Sequence, residues 1–202
     1  TVGKLLGVQK DTDLSLRGAT QSTRVPPPTA FQASGGDIAD GITPGDGYTY
    51  HTFSTSGSLV VSNGGTCDIL VVAGGGGGGG RAGGGGGAGG VVEVVNVPLT
   101  AGSYSISVGS GGAGAGQPGK PGNQNDSPQP GANGGNSYFG APGSGLGGQP
   151  DHFLAKGGGG GGKGSSVTGN PGGSSGGSGY SSDNPADGTQ PGTNPSPFAT
   201  DY

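Results

Sequence analysis

Apolar residues in this chain come in short bursts, separated by long polar or glycine-only stretches. Five bursts have the make-up of β-strands. Tyr48-Thr49-Tyr50-His51-Thr52-Phe53-Ser54 is rich in aromatic and hydroxyl-bearing β-formers, and Leu59-Val60-Val61 follows across Ser56-Gly57 as the second arm of a predicted hairpin. Cys67 to Ala73 and Val91 to Val97 are apolar runs, while Tyr104-Ser105-Ile106-Ser107-Val108 alternates with period two. Asn63-Gly64-Gly65 has the chemistry of a tight turn. The pattern predicts a small antiparallel β framework over residues 46–108 with almost no α-helix. Beyond Gly109 only apolar islands remain, at Tyr138-Phe139, Leu146, His152-Phe153-Leu154 and Tyr180, and these read as loops.

Glycine changes that picture. Gly74 to Gly80 follows directly on Ile69-Leu70-Val71-Val72-Ala73, the segment 74–90 is inserted between the third and fourth predicted strands, and Gly157 to Gly162 forms a second block. With 56 Gly and 16 Pro in 202 residues and apolar residues at 27%, a conventional core for the whole chain is out of reach. An unbroken glycine run would ordinarily be a flexible linker. If such runs are ordered, they adopt the polyproline II conformation, three residues per turn with no internal hydrogen bonds, and must bond laterally to one another. Ordering costs about 1 to 2 kcal/mol per residue and each lateral bond returns roughly 1 kcal/mol net, so several long blocks are required. Packed polyglycine II helices, parallel or antiparallel, are therefore expected on the β framework and through the Gly/Pro/Ser/Asn-rich region 109–202. The collagen spacing of Gly116 to Gly122 lasts a few triplets and breaks at Asn125, which excludes a collagen stalk.

Residues 1–45 read as an extended arm with a Pro-rich spacer, Val25-Pro26-Pro27-Pro28-Thr29. The arm holds four of the eight basic residues and the apolar Leu5, Leu6, Leu14 and Leu16, which with Arg17 make candidate docking residues. A frayed terminus is the other reading of the same segment. The small strand set leaves edges that need covering, which favours homo-oligomerisation.

Charge and chemistry narrow the function classes. Net charge is −4 and the Lys and Arg are scattered, so no basic stripe for nucleic acid is present. No apolar run reaches the length of a membrane span, and Val2 to Val8 lacks the form of a signal peptide. Cys67 is the single cysteine and reads as a small core residue. His51 and His152 are the two histidines, neither in a triad or metal-ligand motif, and Asp11, Asp13, Asp37 and Asp40 lack the spacing of a calcium loop. Gly157 to Lys163 approaches a phosphate-binding loop, but Gly164 stands where the hydroxyl residue is needed. An enzyme and any cofactor or metal are not expected.

The order Tyr48-Thr49-Tyr50-His51-Thr52-Phe53, Ser56-Gly57, Asp68 to Gly80, Gly83 to Glu93, Ala101 to Ile106, Val108-Gly109, Gly134-Gly135-Asn136-Ser137-Tyr138-Phe139-Gly140 and Gly157 to Gly162 resembles the glycine-rich domain of bacteriophage tail-fibre and related virion proteins. The resemblance covers about residues 46–165. It implies a β framework carrying a polyglycine II lattice, a place on the virion, and a surface that contacts the host through loops between glycine helices. The partners implied are other virion proteins at the arm, where Lys10 to Gly18 is similar to virion-docking N-termini, and a host polysaccharide or outer-membrane protein. Tyr138, Phe139, His152, Phe153 and Tyr180 are the candidate receptor contacts, although the aromatic ones equally suit plugs between glycine helices. A capsid-surface decoration protein and a glycine-rich matrix or wall protein are the alternatives.

Overall fold

The computed structural model describes residues 30–115, 129–140, 153–164, 167–180, 188 and 199–201. The arm residues Leu5, Leu6, Leu14, Leu16 and Arg17 lie outside them, as does His152. One compact unit begins at Phe31. Its first strand begins at Gln32, fourteen residues before Asp46.

Among the described residues, eight strands form two antiparallel sheets. The first sheet has the order β1-β2-β5-β6-β7, from Gln32–Ser34, Gly57–Asn63, Gly102–Ser107, Ser137–Phe139 and Phe153–Ala155; the second is β3-β4-β8, from Gly65–Val72, Val91–Leu99 and Ala199–Asp201. Four of the five predicted strands are present. The exception is 48–54, which forms only an isolated bridge between Ile42 and Tyr50. Alternating Thr and Tyr fit a strand, but the place beside β2 is taken by β1 and β5. Asn63-Gly64-Gly65 is likewise no hairpin turn. It carries the chain from β2 in one sheet to β3 in the other.

Alternation decides which side chains meet between the sheets. Leu59 and Val61 of β2, Ile69 and Val71 of β3, and Tyr104 of β5 point inward, and β6 and β7 add Phe139, Phe153 and Ala155. In β4 the inward set switches parity, from Val92 and Val94 to Val97 and Leu99. A bulge causes the switch: Asn96 has φ 56°, and its N–H donates to Asp68 Oδ1 at 2.8 Å. Tyr104 stacks on Phe139 at 5.7 Å between ring centroids, and its hydroxyl donates to Thr100 O at 2.9 Å, so its one polar atom is satisfied inside the core.

The strands then run on into glycine. Val72 pairs with Val91, and beyond that pair the ladder continues from Ala73 N to Gly90 O, Gly76 N to Gly87 O and Gly79 N to Gly84 O, every third residue instead of every second. That period is the one a three-residue helical turn requires. We call the two segments R1 (74–80) and R2 (84–90). R3 (109–115) continues β5, R4 (129–136) leads into β6, R5 (157–164) continues β7, and R6 (167–173) and R7 (174–179) complete the set. R1 and R2 are antiparallel, whereas R5 runs parallel to R1 through Gly158 N, Gly161 N and Gly164 N to the carbonyls of Gly74, Gly77 and Gly80. Among the described residues, positive-φ glycines stand at 35, 36, 41, 45, 47 and 140, all outside these segments, so the lattice glycines keep one hand.

Loss of side chains explains why two sheets become one lattice. Stacked sheets stand about 10 Å apart because side chains fill the gap. In the glycine segments that filling is gone, and R1, continuing the second sheet, bonds directly to R3, R4 and R5, continuing the first. R5 is the centre. Each glycine from 157 to 162 is buried, donates one hydrogen bond and accepts another. Donors at 158 and 161 reach R1, those at 159 and 162 reach R7, and those at 157 and 160 reach the side-chain oxygens of Asn136 and Asn133 at 2.9 Å. Acceptors at 158 and 161 serve R4, at 159 and 162 R2, and at 157 and 160 R6. A Cβ on any of these six glycines would fall deep inside contact distance of a neighbour's carbonyl oxygen.

Candidate functional site

The glycine segments give the compact unit two distinct ends. At one, Phe31 lies beside Gly65, next to the chain reversals at Gly64 and Thr100. At the other, about 20 Å along R1 at the rise of such a helix, the segments turn. Tight turns between close-packed glycine helices need room only on the outside, so this is where side chains reappear. Arg81 sits in the R1–R2 turn with φ 49°, Lys163 ends R5, and Tyr180 ends R7. Backbone bonds draw the three turns together: Tyr180 N donates to Ala82 O at 3.2 Å and Gly164 N to Gly80 O at 3.2 Å. Tyr180 is 79% exposed, the most of any large apolar side chain among the described residues. Arg81 is exposed and Lys163 half-buried. The result is an exposed phenol on a turn whose backbone is bonded to the turn carrying Arg81, with Lys163 on the third turn of the same group. Such a group can stack on a ring or an apolar patch and attract an anion.

The sequence-derived contact residues do not meet there. Phe139 and Phe153 are 5% and 0% exposed, pair across β6 and β7, and lie 6.4 Å apart by ring centroids in the side-chain core. They have no surface to offer, and the expectation of contact loops fails at both because three-residue strands hold them. Tyr138, between Ser107 and Leu154 in the first sheet, is half-buried on its outer face, far along the chain of packing from the tip. Tyr180 alone of the described candidates is freely presented. Arg81 escaped sequence reading and Lys163 was read only against a phosphate-binding loop, although single cations interrupting glycine blocks were the available sign of turns.

Other candidate chemistry is used structurally. His51 Nδ1 lies 2.9 Å from Gly35 O and braces the loop between β1 and β2. Burial, with Asp68 as a lesser cause, pushes the Cys67 thiol up to about 11, so it stays protonated and a poor nucleophile at neutral pH. The stretch from Gly157 to Gly162 commits its peptide groups to neighbouring segments, which leaves no cradle for a phosphate there. Among the described residues no three His, Cys, Asp or Glu side chains converge as a metal site, and no helix is long and apolar enough to cross a membrane.

The loop between β1 and β2 is a second exposed surface. Ile42 and Tyr50 exchange both backbone hydrogen bonds at 2.9 Å, and the Asp37 carboxylate accepts from Ser54 N and Oγ. Tyr48 and Tyr50 stand outward with Asp46 between chain and rings.

Comparison with known proteins yields one family. The profile of a family described as a glycine-rich domain matches residues 51–200. No curated protein and no solved structure matches the chain.

Proposed function

We propose a function from the premise that the chain belongs to the glycine-rich domain family: it is a non-enzymatic virion protein of a bacteriophage, a tail-fibre or surface-appendage component that touches the host surface with the tip of its glycine lattice. One observation carries the reading. The compact unit is polar, with Phe31 at the sandwich end and the exposed Tyr180 and Arg81, with the half-buried Lys163, at the opposite end of the glycine segments. An anchor at the sandwich end would present that tip outward. Lateral backbone bonding keeps the tip at a fixed distance, which a flexible spacer does not. The order of the lattice therefore speaks against the matrix or wall reading, in which slack is the function. A capsid decoration protein shares the anchored design but has no use for a contact tip.

The test has two arms. Mass spectrometry of purified particles is expected to find the chain, and its absence ends the virion reading. Intact chain added in excess is expected to block adsorption of those particles to host cells, with Tyr180→Ala and Arg81→Ala losing the block while their melting temperature stays unchanged. Full blocking by both variants removes the tip from the reading, and no blocking by the unaltered chain favours decoration.

A further inference from the structure

The loop between β1 and β2 is built to hold apolar surface in water. Ile38, Ile42, Tyr48 and Tyr50 are 52%, 46%, 62% and 48% exposed, within thirteen residues. This exposure is not slackness. Gly41, Gly45 and Gly47 take φ of 73°, 98° and 93° and supply the turns that L side chains resist, the Ile42–Tyr50 bridge closes the loop, and Phe53 packs against the core beneath it. Asp46 sets the two rings. Its Oδ1 accepts from Tyr48 N at 3.0 Å, its Oδ2 accepts from Tyr50 Oη at 2.8 Å, and the rings stand 6.2 Å apart at 46°. The backbone bond from Tyr48 first, and the Tyr50 hydroxyl second, hold the Asp46 carboxyl below its ordinary range, so it is charged at neutral pH.

Charge selects the ligand for this platform. Asp37, Asp40 and Asp46 lie in the same loop, and no Lys or Arg occurs anywhere from residue 31 to residue 80. Tyrosine faces attract cations through the ring quadrupole, and the two carboxylate oxygens of Asp46 keep acceptor capacity beyond the bonds they already make. We propose that this loop is a docking surface for a cationic segment of a partner protein, with a Lys or Arg placed over the Tyr48 and Tyr50 rings beside Asp46 and apolar neighbours on Ile38 and Ile42. The surface is separate from the lattice tip and does not depend on what the tip touches.

The full chain, isotope-labelled, is titrated with a synthetic Arg-Leu repeat peptide, an Glu-Leu counterpart of equal length, and the neutral polysaccharide dextran. Saturable amide shifts confined to residues 38–50 are expected with the Arg-Leu peptide alone, weakening as salt is added. Tyr48→Ala is expected to weaken binding about fivefold, whereas Tyr48→Phe, which keeps the ring, retains it. Asp46→Asn, with the loop's amide spectrum otherwise unchanged, weakens it further. Absence of shifts with the Arg-Leu peptide, equal binding of the Glu-Leu peptide, or indifference to both Tyr48→Ala and Asp46→Asn overturns the proposal. Dextran shifting the same amides overturns the assignment to a cation in favour of a neutral glycan.

Discussion

Val92 and Gly159 are both interior residues of the same compact unit, yet they are held there by different forces. Val92 is 0% exposed between two sheets and is stabilised by taking apolar area out of water. Gly159 is buried among glycine segments and has almost no apolar area to remove; what it has is a donor bonded to Ser174 O and an acceptor bonded by Gly87 N. One donated and one accepted bond, each shared with a neighbour, amount to one bond per residue at roughly 1 kcal/mol net, no more than the ordering cost of a glycine, so the lattice holds only where bonding is complete. A side-chain core tolerates graded change in volume. A core of peptide groups does not, because the first atom added to any central residue strikes a carbonyl oxygen of the neighbouring backbone.

The largest expected effect is therefore at the smallest residue. Gly159→Ala puts a methyl group into Asn170 O, and backbone on both sides must give. A loss of about 4 kcal/mol or more is expected, beyond the usual overpacking range because no side chain can move aside; chemical denaturation would show it, with the glycine amides of R5 losing protection. Val92→Ala leaves a cavity in the sandwich and is expected to cost about 2 to 3 kcal/mol by the same measurement, with a cooperative transition retained.

Smaller changes probe the edge of the lattice. Asn133 and Asn136 stand where a sixth neighbour of R5 would lie, and their side chains take the place of its backbone. Asn133→Ala frees the N–H of Gly160 to a partly wet side, and a loss of about 1 kcal/mol in denaturation is expected. Gly85 has open space where its Cβ would be and no positive φ. Gly85→Ala should gain about 0.4 to 1 kcal/mol by stiffening the unfolded chain, the opposite sign to Gly159→Ala. Equal penalties for the two substitutions would mean that both glycines are needed for conformation and not for close approach.

Much of this was legible in the sequence, for reasons that differ by region. The strands containing Cys67 to Val72, Val91 to Val97 and Tyr104 to Ser107 announced themselves by apolar runs and alternation. The lattice announced itself by block length and by being bracketed with strands. Within the tracts, exposed alanines mark outward faces: Ala88 on R2, Ala113 on R3 and Ala132 on R4 are exposed, whereas a Cβ on Gly112, next to Ala113, would strike Ala132 O. Strands β6 and β7 were invisible because three residues carry no period, and their pairing is fixed by R4 and R5, which bond in the same antiparallel sense. The fate of Phe139 and Phe153 followed from that. At 48–54 local composition favoured a strand, but no free edge was left for it beside β2. The tip of Arg81, Lys163 and Tyr180 is assembled from three turns distant in sequence, so its members could be read one by one and not as a group.

Hydrogen exchange of the chain labelled with 15N-glycine and 15N-valine tests the central claim most directly. The amides of Gly158, Gly159, Gly161 and Gly162, which donate to carbonyls of R1 and R7, are predicted to be protected to the level of Val92 and Val94 in β4, while Gly75 and Gly78, exposed on R1, exchange quickly. Exchange of the R5 amides at the rate of an unstructured glycine peptide, with β4 still protected, would contradict a core made of peptide groups.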